Sequence, residues 1–349
     1  LACVVVMLAL SHTLLRWPQP PFGGGASKAS SASAPWLVAL STALAFALSP
    51  LVVVWGRTAV SDALLTGMLA VSLLLIWRTY ADPGGPWWGG WLVLGLAVLT
   101  KGPVAMVLVA LTLLLFGWLQ ADWRGLLTRL RPLRGLALTS AVALPWYVLA
   151  LIREGGPLWD SFFGYHNLQR FTSVVNDHLQ PWWYFGPVLV VASLPFTPLL
   201  LEGLVLAVGP LPLGGRPPRP PSPPESLGRF AACWLLAVLL FFTSAATKLP
   251  SYWLPATPAA AILIALAAQE PLPGSDRPGA TGCWAWRLTL LLTLFLGLVL
   301  AAGVLWLPLI QDPEMPGLAA KLLASRRLWL AAALYLIAAA LGLLLARHQ

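Results

Sequence analysis

The chain has 349 residues, of which 59% are hydrophobic and only 9% are charged, whereas roughly 25% of the residues in an average soluble domain are charged. This composition excludes an ordinary soluble protein and indicates an integral membrane protein. The net charge of +9 is typical of basic residues in short loops between membrane spans, so we expect membrane lipids as partners and no nucleic acid.

Apolar runs of bilayer-spanning length predict about eleven transmembrane helices in an all-α fold. The runs lack the alternating pattern of barrel strands, and unpaired backbone groups cannot face lipid. In chain order they occupy residues 1–15, 36–55, 60–77, 88–99, 103–119, 135–152, 186–207, 230–246, 252–268, 288–310 and 327–346. We therefore predict a single polytopic membrane domain over residues 1–349.

The chain begins at Leu1, inside the first apolar run and without an initiator Met or a basic segment. We interpret it as a fragment whose natural N-terminus precedes Leu1, and not as a protein with a signal peptide. Two linkers are predicted to be cytoplasmic and without regular structure, a Gly- and Ser-rich one at residues 18–35 and a Pro-rich one at residues 208–229. We expect inert core thiols, none in CxxC spacing, at Cys3, Cys233 and Cys283.

Basic residues are concentrated in one short loop, at Arg124, Arg129, Arg131 and Arg134. The positive-inside rule makes this loop cytoplasmic. Spans counted in both directions from this loop place four polar segments together on the opposite, extracytoplasmic face. They are residues 56–62, 100–103, 161–183 and 247–253.

The first two of these segments each present a charged side chain at a helix end. Asp62 follows Arg57 at a helix start. One possibility is that Ser61 or Asp62 caps the helix. The other is that the Asp62 carboxylate lies at the mouth of a membrane cavity. There it would orient a sugar hydroxyl or assist a base. Lys101 precedes the helix breakers Gly102 and Pro103. Its ammonium either binds a lipid phosphate or snorkels to the membrane surface.

The longest polar interval between apolar runs is SFFGYHNLQRFTSVVNDHLQPWW, residues 161–183. It is either a solvated loop with an aromatic interface belt or part of a site. His166 and Arg170 would share one face of a short helix. A guanidinium can bind phosphate through two parallel hydrogen bonds, and a neutral imidazole can bind a metal or move a proton, although a lone His is more often structural. We assign no role to His178.

Two further polar features lie in the second half of the chain. Lys248 and Tyr252, in TKLPSYW, stand where Pro250 ends regular structure. Lys248 either binds phosphate or snorkels, and Tyr252 places a phenol at headgroup depth. Glu202 is the most conspicuous acid inside an apolar run, as in a proton relay. Its position toward the cytoplasmic end favours an interface residue or a helix contact.

Five segments in chain order carry a family resemblance: RTAVSDALLT (57–66), GLAVLTKGP (95–103), LPWYVLA (144–150), FFGYHNLQRF (162–171) and FFTSAATKLPSYWLPATPA (241–259). Together they resemble the polytopic glycosyltransferases of the aminoarabinose transferase and protein O-mannosyltransferase superfamily, which are GT-C enzymes that use polyprenyl-phosphate sugars. The resemblance covers residues 36 to about 260.

The resemblance implies a sugar on an isoprenoid phosphate, attacked at its anomeric carbon by an acceptor hydroxyl in an inverting displacement. The reaction would occur at the extracytoplasmic face of the plasma (inner) membrane. Departure of a lipid phosphate calls for clustered cations. The candidates that bind this donor are Arg57, Lys101, Arg170, Lys248 and Tyr252, the last of which lies where a lipid-phosphate contact is expected.

The resemblance also suggests roles for an acid and a histidine. Asp62 resembles the family's second conserved acidic residue and is the catalytic candidate. His166 resembles the histidine that in one branch helps hold a divalent metal ion. The family's main catalytic Asp, and the acidic partner of that histidine, are expected in a periplasmic loop before Leu1. Its C-terminal soluble domain is likewise expected outside residues 1–349.

We predict a glycosyltransferase that moves a hexosyl or pentosyl group from a polyprenyl-phosphate donor to a hydroxyl of a lipid, glycan or protein. The alternative is a polytopic transporter or flippase for a lipid-linked or anionic solute. Transport predicts inverted repeats and ionisable residues near the midplane, whereas this sequence has no internal repeat and its charges cluster at helix ends. A non-catalytic homologue is a third possibility.

Overall fold

The computed structural model describes residues 1–20, 34–58, 60–158, 180–209, 222–269, 283–309 and 317–347. These residues form helices and no β-strand, as the apolar runs predict. In chain order the helices are α1 (Ala2–Arg16), α2 (Pro35–Ala47), α3 (Pro50–Trp55), α4 (Ser61–Ala81), α5 (Gly89–Lys101), α6 (Val104–Gln120), α7 (Trp123–Leu130), α8 (Pro132–Glu154), α9 (Phe185–Ala192), α10 (Thr197–Val208), α11 (Leu227–Ser244), α12 (Thr257–Ala267), α13 (Cys283–Trp306), α14 (Leu318–Ala324) and α15 (Arg327–Arg347). A helical turn at Gly156–Leu158 follows α8, and 3₁₀ helices occupy Pro223–Glu225, Pro250–Ala256 and Leu307–Leu309.

Every predicted apolar run contains helix, but the helices differ in length. Among the described residues, six helices are long and apolar enough to cross a membrane, and the pair α9 and α10, bent by 112°, would make a seventh span. Four shorter apolar helices cover the remaining runs, namely α1, α2, α5 and α6. The all-helical membrane fold is confirmed, and the number of eleven spans stays a prediction.

Helix α4 is buried on most sides, because it packs against α1, α5 and the 3₁₀ helix Pro250–Ala256. Its contact with α5 is close. Ser72 Oγ donates a hydrogen bond to the carbonyl of Gly90 at 2.9 Å, and a Cβ on Gly90 would lie 3.0 Å from the carbonyl oxygen of Ser72. A Cβ at this position would also lie 2.6 Å from Cγ1 of Ile76, so a larger residue would push α5 away from α4.

The other side of α5 packs against α8 in a similar way. Thr139 Oγ1 donates to the carbonyl of Trp91 at 2.9 Å, and a Cβ on Gly95 would lie 2.7 Å from the Val142 side chain. Helix α5 is therefore fixed between α4 and α8. Its last residue, Lys101, is held at a defined place at the end of the helices.

The opposite end of α4 carries the basic cluster. Arg129 Nη1 donates to the carbonyl of Tyr80 at 2.6 Å, and the Tyr80 hydroxyl donates to Asp122 Oδ2 at 2.9 Å. Asp122 also caps α7, because its Oδ1 accepts the backbone N–H of Gly125 at 2.9 Å. Asp62 and Tyr80 lie in the first and last turns of α4. The two ends of the helices thus have different chemistry.

The predicted linkers fall largely outside the described residues. Helix α2 begins at Pro35, α10 ends at Val208, and α11 begins at Leu227 after the short 3₁₀ helix. Among the described cysteines, Cys3 and Cys233 are free thiols, and Cys233 is buried.

Candidate active site

Asp62 lies in the first turn of α4 and forms an ion pair with Lys101. Its Oδ1 accepts a hydrogen bond from Lys101 Nζ, although the two residues are 39 positions apart in the chain. The Asp62 side chain is 12% exposed and that of Lys101 is 25% exposed. The prediction that Asp62 or Ser61 caps the helix is wrong, because α4 has Val60 as its N-cap and no side-chain capping bond. The carboxylate binds a neighbouring helix instead.

Lys101 is the last residue of α5, and the chain turns immediately after it. Gly102 has φ +83°, a left-handed conformation that glycine adopts without a steric penalty. The N–H of Gly102 donates to the carbonyl of Val98 at 2.7 Å, and the hydroxyl of Tyr147 on α8 donates to the same carbonyl at 2.9 Å. The predicted helix break is confirmed, and two hydrogen bonds fix the end of α5.

Tyr252 lies beside Lys101, on the 3₁₀ helix Pro250–Ala256. Lys101 Nζ is 4.8 Å from the centroid of the Tyr252 ring, a distance typical of a cation–π contact. The same ring stacks on Phe242, with 4.8 Å between centroids. Tyr252 is only 7% exposed. The ring packs inside the protein, and its predicted depth in the membrane stays a prediction.

Lys248 is also buried, at 7% exposure. Its Nζ donates to the carbonyl of Ala245 at 2.7 Å, just beyond the end of α11. Carbonyl groups at a helix C-terminus lack intrahelical partners and attract a nearby ammonium. The side chain therefore turns back to the helix end and does not snorkel outward.

Among the described residues, Arg57 lies outside the group formed by Asp62, Lys101 and Tyr252. Arg57 is exposed and follows α3, and within the described ranges no ion pair joins it to Asp62. His166, Arg170 and His178 lie outside the described residues. The phosphate-binding role of Arg170 and the metal-binding role of His166 therefore stay predictions.

The sequence predicts no role for Tyr147 or Phe242. Both lie in segments that carry the family resemblance, LPWYVLA and FFTSAATKLPSYWLPATPA. Tyr147 holds the end of α5, and Phe242 supports the ring beside Lys101. A sequence pattern gives no direct sign of either contact, because each partner comes from a different helix.

Glu202 lies inside α10 and is 4% exposed. Neither carboxyl oxygen has a hydrogen-bond partner in the described part of the chain. At the next residue, a Cβ on Gly203 would lie 2.5 Å from the carbonyl oxygen of Leu263 on α12. Glu202 thus lies at a close helix contact, as its sequence position favours.

In the cluster of Asp62, Lys101 and Tyr252, the ammonium of a partly exposed lysine side chain contacts a carboxylate and an aromatic ring. Such an ammonium at a helix end is suited to binding an anion. The cluster does not fit a metal ion, because Asp62 is its only acid and is already paired with a cation. In the described ranges, no group of three His, Cys, Asp or Glu residues could hold a metal.

Comparison with known proteins decides the relationship. The undecaprenyl phosphate-alpha-4-amino-4-deoxy-L-arabinose arabinosyl transferase 2 of Pseudomonas fluorescens (strain Pf0-1) is 32% identical over 265 residues, which cover 74% of this chain and 44% of that protein. The corresponding transferase of Serratia proteamaculans (strain 568) is 30% identical over 272 residues, covering 76% of this chain and 44% of that protein. The chain is a homologue of the undecaprenyl-phosphate aminoarabinose transferases. It spans about half the length of the curated relatives it matches, and no protein-family model matches it.

Solved structures agree on the fold of this aminoarabinose transferase homologue. ArnT from Cupriavidus metallidurans, crystallised with undecaprenyl phosphate, superimposes with a TM-score of 0.69 at 23% identity, over 100% of this chain and 57% of that chain. The apo state of the same enzyme gives a TM-score of 0.64 at 21% identity, over 98% of this chain and 59% of that chain. The predicted GT-C-like fold is confirmed, and the chain is a multi-pass membrane protein.

Proposed function

We propose that this homologue performs glycosyl transfer in a membrane, moving a sugar from a polyprenyl-phosphate donor to an acceptor hydroxyl with inversion. The observation that carries the proposal is the position of Lys101, held between Asp62 and Tyr252 at one end of the helices. The relatives are named as arabinosyl transferases that act on an undecaprenyl phosphate sugar. By that likeness, the donor here is an undecaprenyl-phosphate pentose.

In the proposed reaction, the acceptor oxygen bonds to the anomeric carbon while the bond from that carbon to the phosphate oxygen breaks. The departing oxygen keeps the electron pair, so negative charge grows on the lipid phosphate. The ammonium groups of Lys101 and Lys248 stabilise this charge, and the hydroxyl of Tyr252 can donate a further hydrogen bond. Arg57 and Arg170 are the remaining candidates for phosphate contacts.

The proton of the acceptor hydroxyl needs a base, and general-base help typically contributes about 10²- to 10⁴-fold in rate. Asp62 is our candidate among the described residues, because its carboxylate lies within the cluster. By the family resemblance, Asp62 corresponds to the second acidic residue and not to the main base. We therefore propose Asp62 as an assisting base or as a group that orients the sugar.

The proposed active face is extracytoplasmic, because the basic end of α4 would lie in the cytoplasm by the positive-inside rule. A labelling experiment tests this orientation in a variant with all cysteines replaced by serine. A single cysteine at exposed Glu154 should react with a membrane-impermeant maleimide in intact cells, and one at exposed Arg124 only after permeabilisation. The reverse pattern would contradict the proposed face.

The acceptor in this proposal is a hydroxyl of a lipid, a glycan or a protein. The resemblance also suggests a divalent ion at His166, which chelation tests. If a metal acts, transfer by the purified enzyme should fall in EDTA and return with added divalent ions. Transfer that is unchanged in EDTA would remove the metal from the proposal.

Binding of undecaprenyl phosphate tests the proposed site directly. We expect Lys101→Met and Lys248→Met each to weaken binding about 10- to 100-fold, since a hydrogen bond to a charged group contributes roughly 1.5–3 kcal/mol. Lys321→Met, an exposed lysine on α14, is the matched control and should leave binding unchanged. Because Lys101→Met leaves Asp62 unpaired, the double variant Asp62→Asn/Lys101→Met is measured beside it. Binding that is insensitive to both site lysines would overturn the proposal.

A further inference from the structure

The ion pair between Asp62 and Lys101 occupies the group that is proposed to bind the donor phosphate. Asp62 lies in the first turn of α4 and Lys101 at the end of α5. These helices pack closely, with the hydrogen bond from Ser72 to the carbonyl of Gly90 between them. The two charged side chains are therefore brought together by the packing of their helices.

The surroundings of the Lys101 ammonium limit how a second anion can approach. An ammonium has three N–H donors. Asp62 Oδ1 accepts one of them, and the Tyr252 ring centroid lies 4.8 Å from Nζ. Lys101 is the more exposed partner, at 25% against 12% for Asp62. The side chain that an incoming anion has to reach is therefore partly open to solvent.

A phosphate and a carboxylate on the same ammonium repel each other. The repulsion is stronger in a partly buried site than in water, because the local dielectric constant is lower. Tyr252 is uncharged, so its ring can keep its contact with Lys101 when the anion changes. An arriving phosphate therefore weakens the contact between the Asp62 carboxylate and Lys101.

Building on the proposed function, we infer that Asp62 occupies Lys101 in place of the donor phosphate, and that donor binding displaces the carboxylate from the ammonium. Without donor, the ion pair keeps Lys101 in position and neutralises both groups. With donor bound, the phosphate takes the ammonium and the Asp62 carboxylate is released near the reacting sugar. The carboxylate thus becomes accessible to an acceptor hydroxyl only after the donor is in place.

The inference predicts that removal of the Asp62 charge strengthens donor binding. Asp62→Asn keeps the shape of the side chain, and its amide oxygen can still accept a hydrogen bond from Lys101. The affinity of the purified protein for undecaprenyl phosphate should rise about tenfold in Asp62→Asn, for loss of a competing charge. Asp82→Asn at the other end of α4 makes the same change in net charge and should leave the affinity unchanged. Thermal unfolding of each variant shows that it is folded.

The double variant separates this inference from the proposed function. If Asp62 competes through Lys101, the effects of the two substitutions should not be additive. The affinity gain from Asp62→Asn in the wild-type background should then differ clearly from the gain in the Lys101→Met background, where only the repulsion between Asp62 and the phosphate remains. An equal or lower affinity for folded Asp62→Asn would overturn the inference, since it would show that Asp62 supports the site and does not compete for it. A different result would contradict the proposed function, namely that neither Lys101→Met nor Lys248→Met changes the affinity. Absence of binding by both the wild type and Asp62→Asn would overturn both proposals.

Discussion

The hydroxyl of Tyr147 donates a hydrogen bond to the carbonyl oxygen of Val98, at 2.9 Å, and so joins α8 to the last turn of α5. The same carbonyl accepts the N–H of Gly102. Lys101 lies between Val98 and Gly102 in the chain. Tyr147, on a different helix, therefore helps to fix the end of α5 that carries Lys101.

Tyr147→Phe should lower stability while leaving the cluster largely in place. Loss of one intramolecular hydrogen bond typically costs about 0.5–1.5 kcal/mol, and the bond from Gly102 to Val98 remains. Thermal unfolding in detergent measures the loss, and undecaprenyl phosphate binding should change by less than about threefold. Tyr335→Phe on α15, away from the site, is the control. A loss of stability in Tyr147→Phe that is no larger than the loss in the control would show that the Tyr147 hydrogen bond contributes little.

Gly102→Ala should disturb the site itself. Gly102 has φ +83°, and a residue with a Cβ in that conformation costs roughly 1–3 kcal/mol. Gly155 also has positive φ, at +64°, with open space around it, so Gly155→Ala is a matched control for backbone strain. Both variants should lose similar stability, but only Gly102→Ala should weaken undecaprenyl phosphate binding, by about tenfold or more. Equal effects of Gly102→Ala and Gly155→Ala on binding would show that the turn at Gly102 has no specific effect on the phosphate site.

The partner of Asp62 could not be predicted from the sequence. Arg57 is its neighbour in sequence, so a local interpretation favours a helix cap or a contact with Arg57. The observed partner is Lys101, 39 positions away. The sequence predicts that both residues lie at helix ends on the same face, and the structure agrees. The pairing itself depends on which helices pack together, and hydropathy carries no information on that.

The burial of Lys248 and Tyr252 could not be predicted from the sequence either. Pro250 and the end of α11 are visible in the sequence, so a break at this place could be predicted. A lysine and a tyrosine beside an apolar run usually face the membrane surface. Here both are buried, because Ala245 offers a carbonyl to Lys248, and Phe242 and Lys101 enclose the Tyr252 ring. Such partners become visible only when the chain is folded.

Substitutions of Tyr252 separate the effect of its ring from that of its hydroxyl. Tyr252→Phe keeps the aromatic face beside Lys101, whereas Tyr252→Leu removes it. We expect Phe to retain stability and Leu to lose roughly 1–2 kcal/mol, from the cation–π contact and the stacking on Phe242. The affinity for undecaprenyl phosphate should be highest in the wild type, lower in Tyr252→Phe and lowest in Tyr252→Leu. Equal stability of the two variants would show that the ring contact with Lys101 is not a stabilising one.

Removal of the ionisable group of Glu202 should not lower stability, whereas removal of a paired acid should. Its two carboxyl oxygens are buried without a hydrogen-bond partner among the described residues, and an unpaired buried polar group costs free energy in the folded protein. Glu202→Gln has the same shape but no ionisable group, so it should unfold at the same temperature as the wild type or higher. Glu202→Leu removes the polar atoms as well and should be at least as stable as Glu202→Gln. Thermal unfolding of the three proteins in one detergent makes the comparison. A loss of more than about 1 kcal/mol in Glu202→Gln would mean that the carboxyl group has a stabilising partner, and the relay interpretation of Glu202 would then regain support.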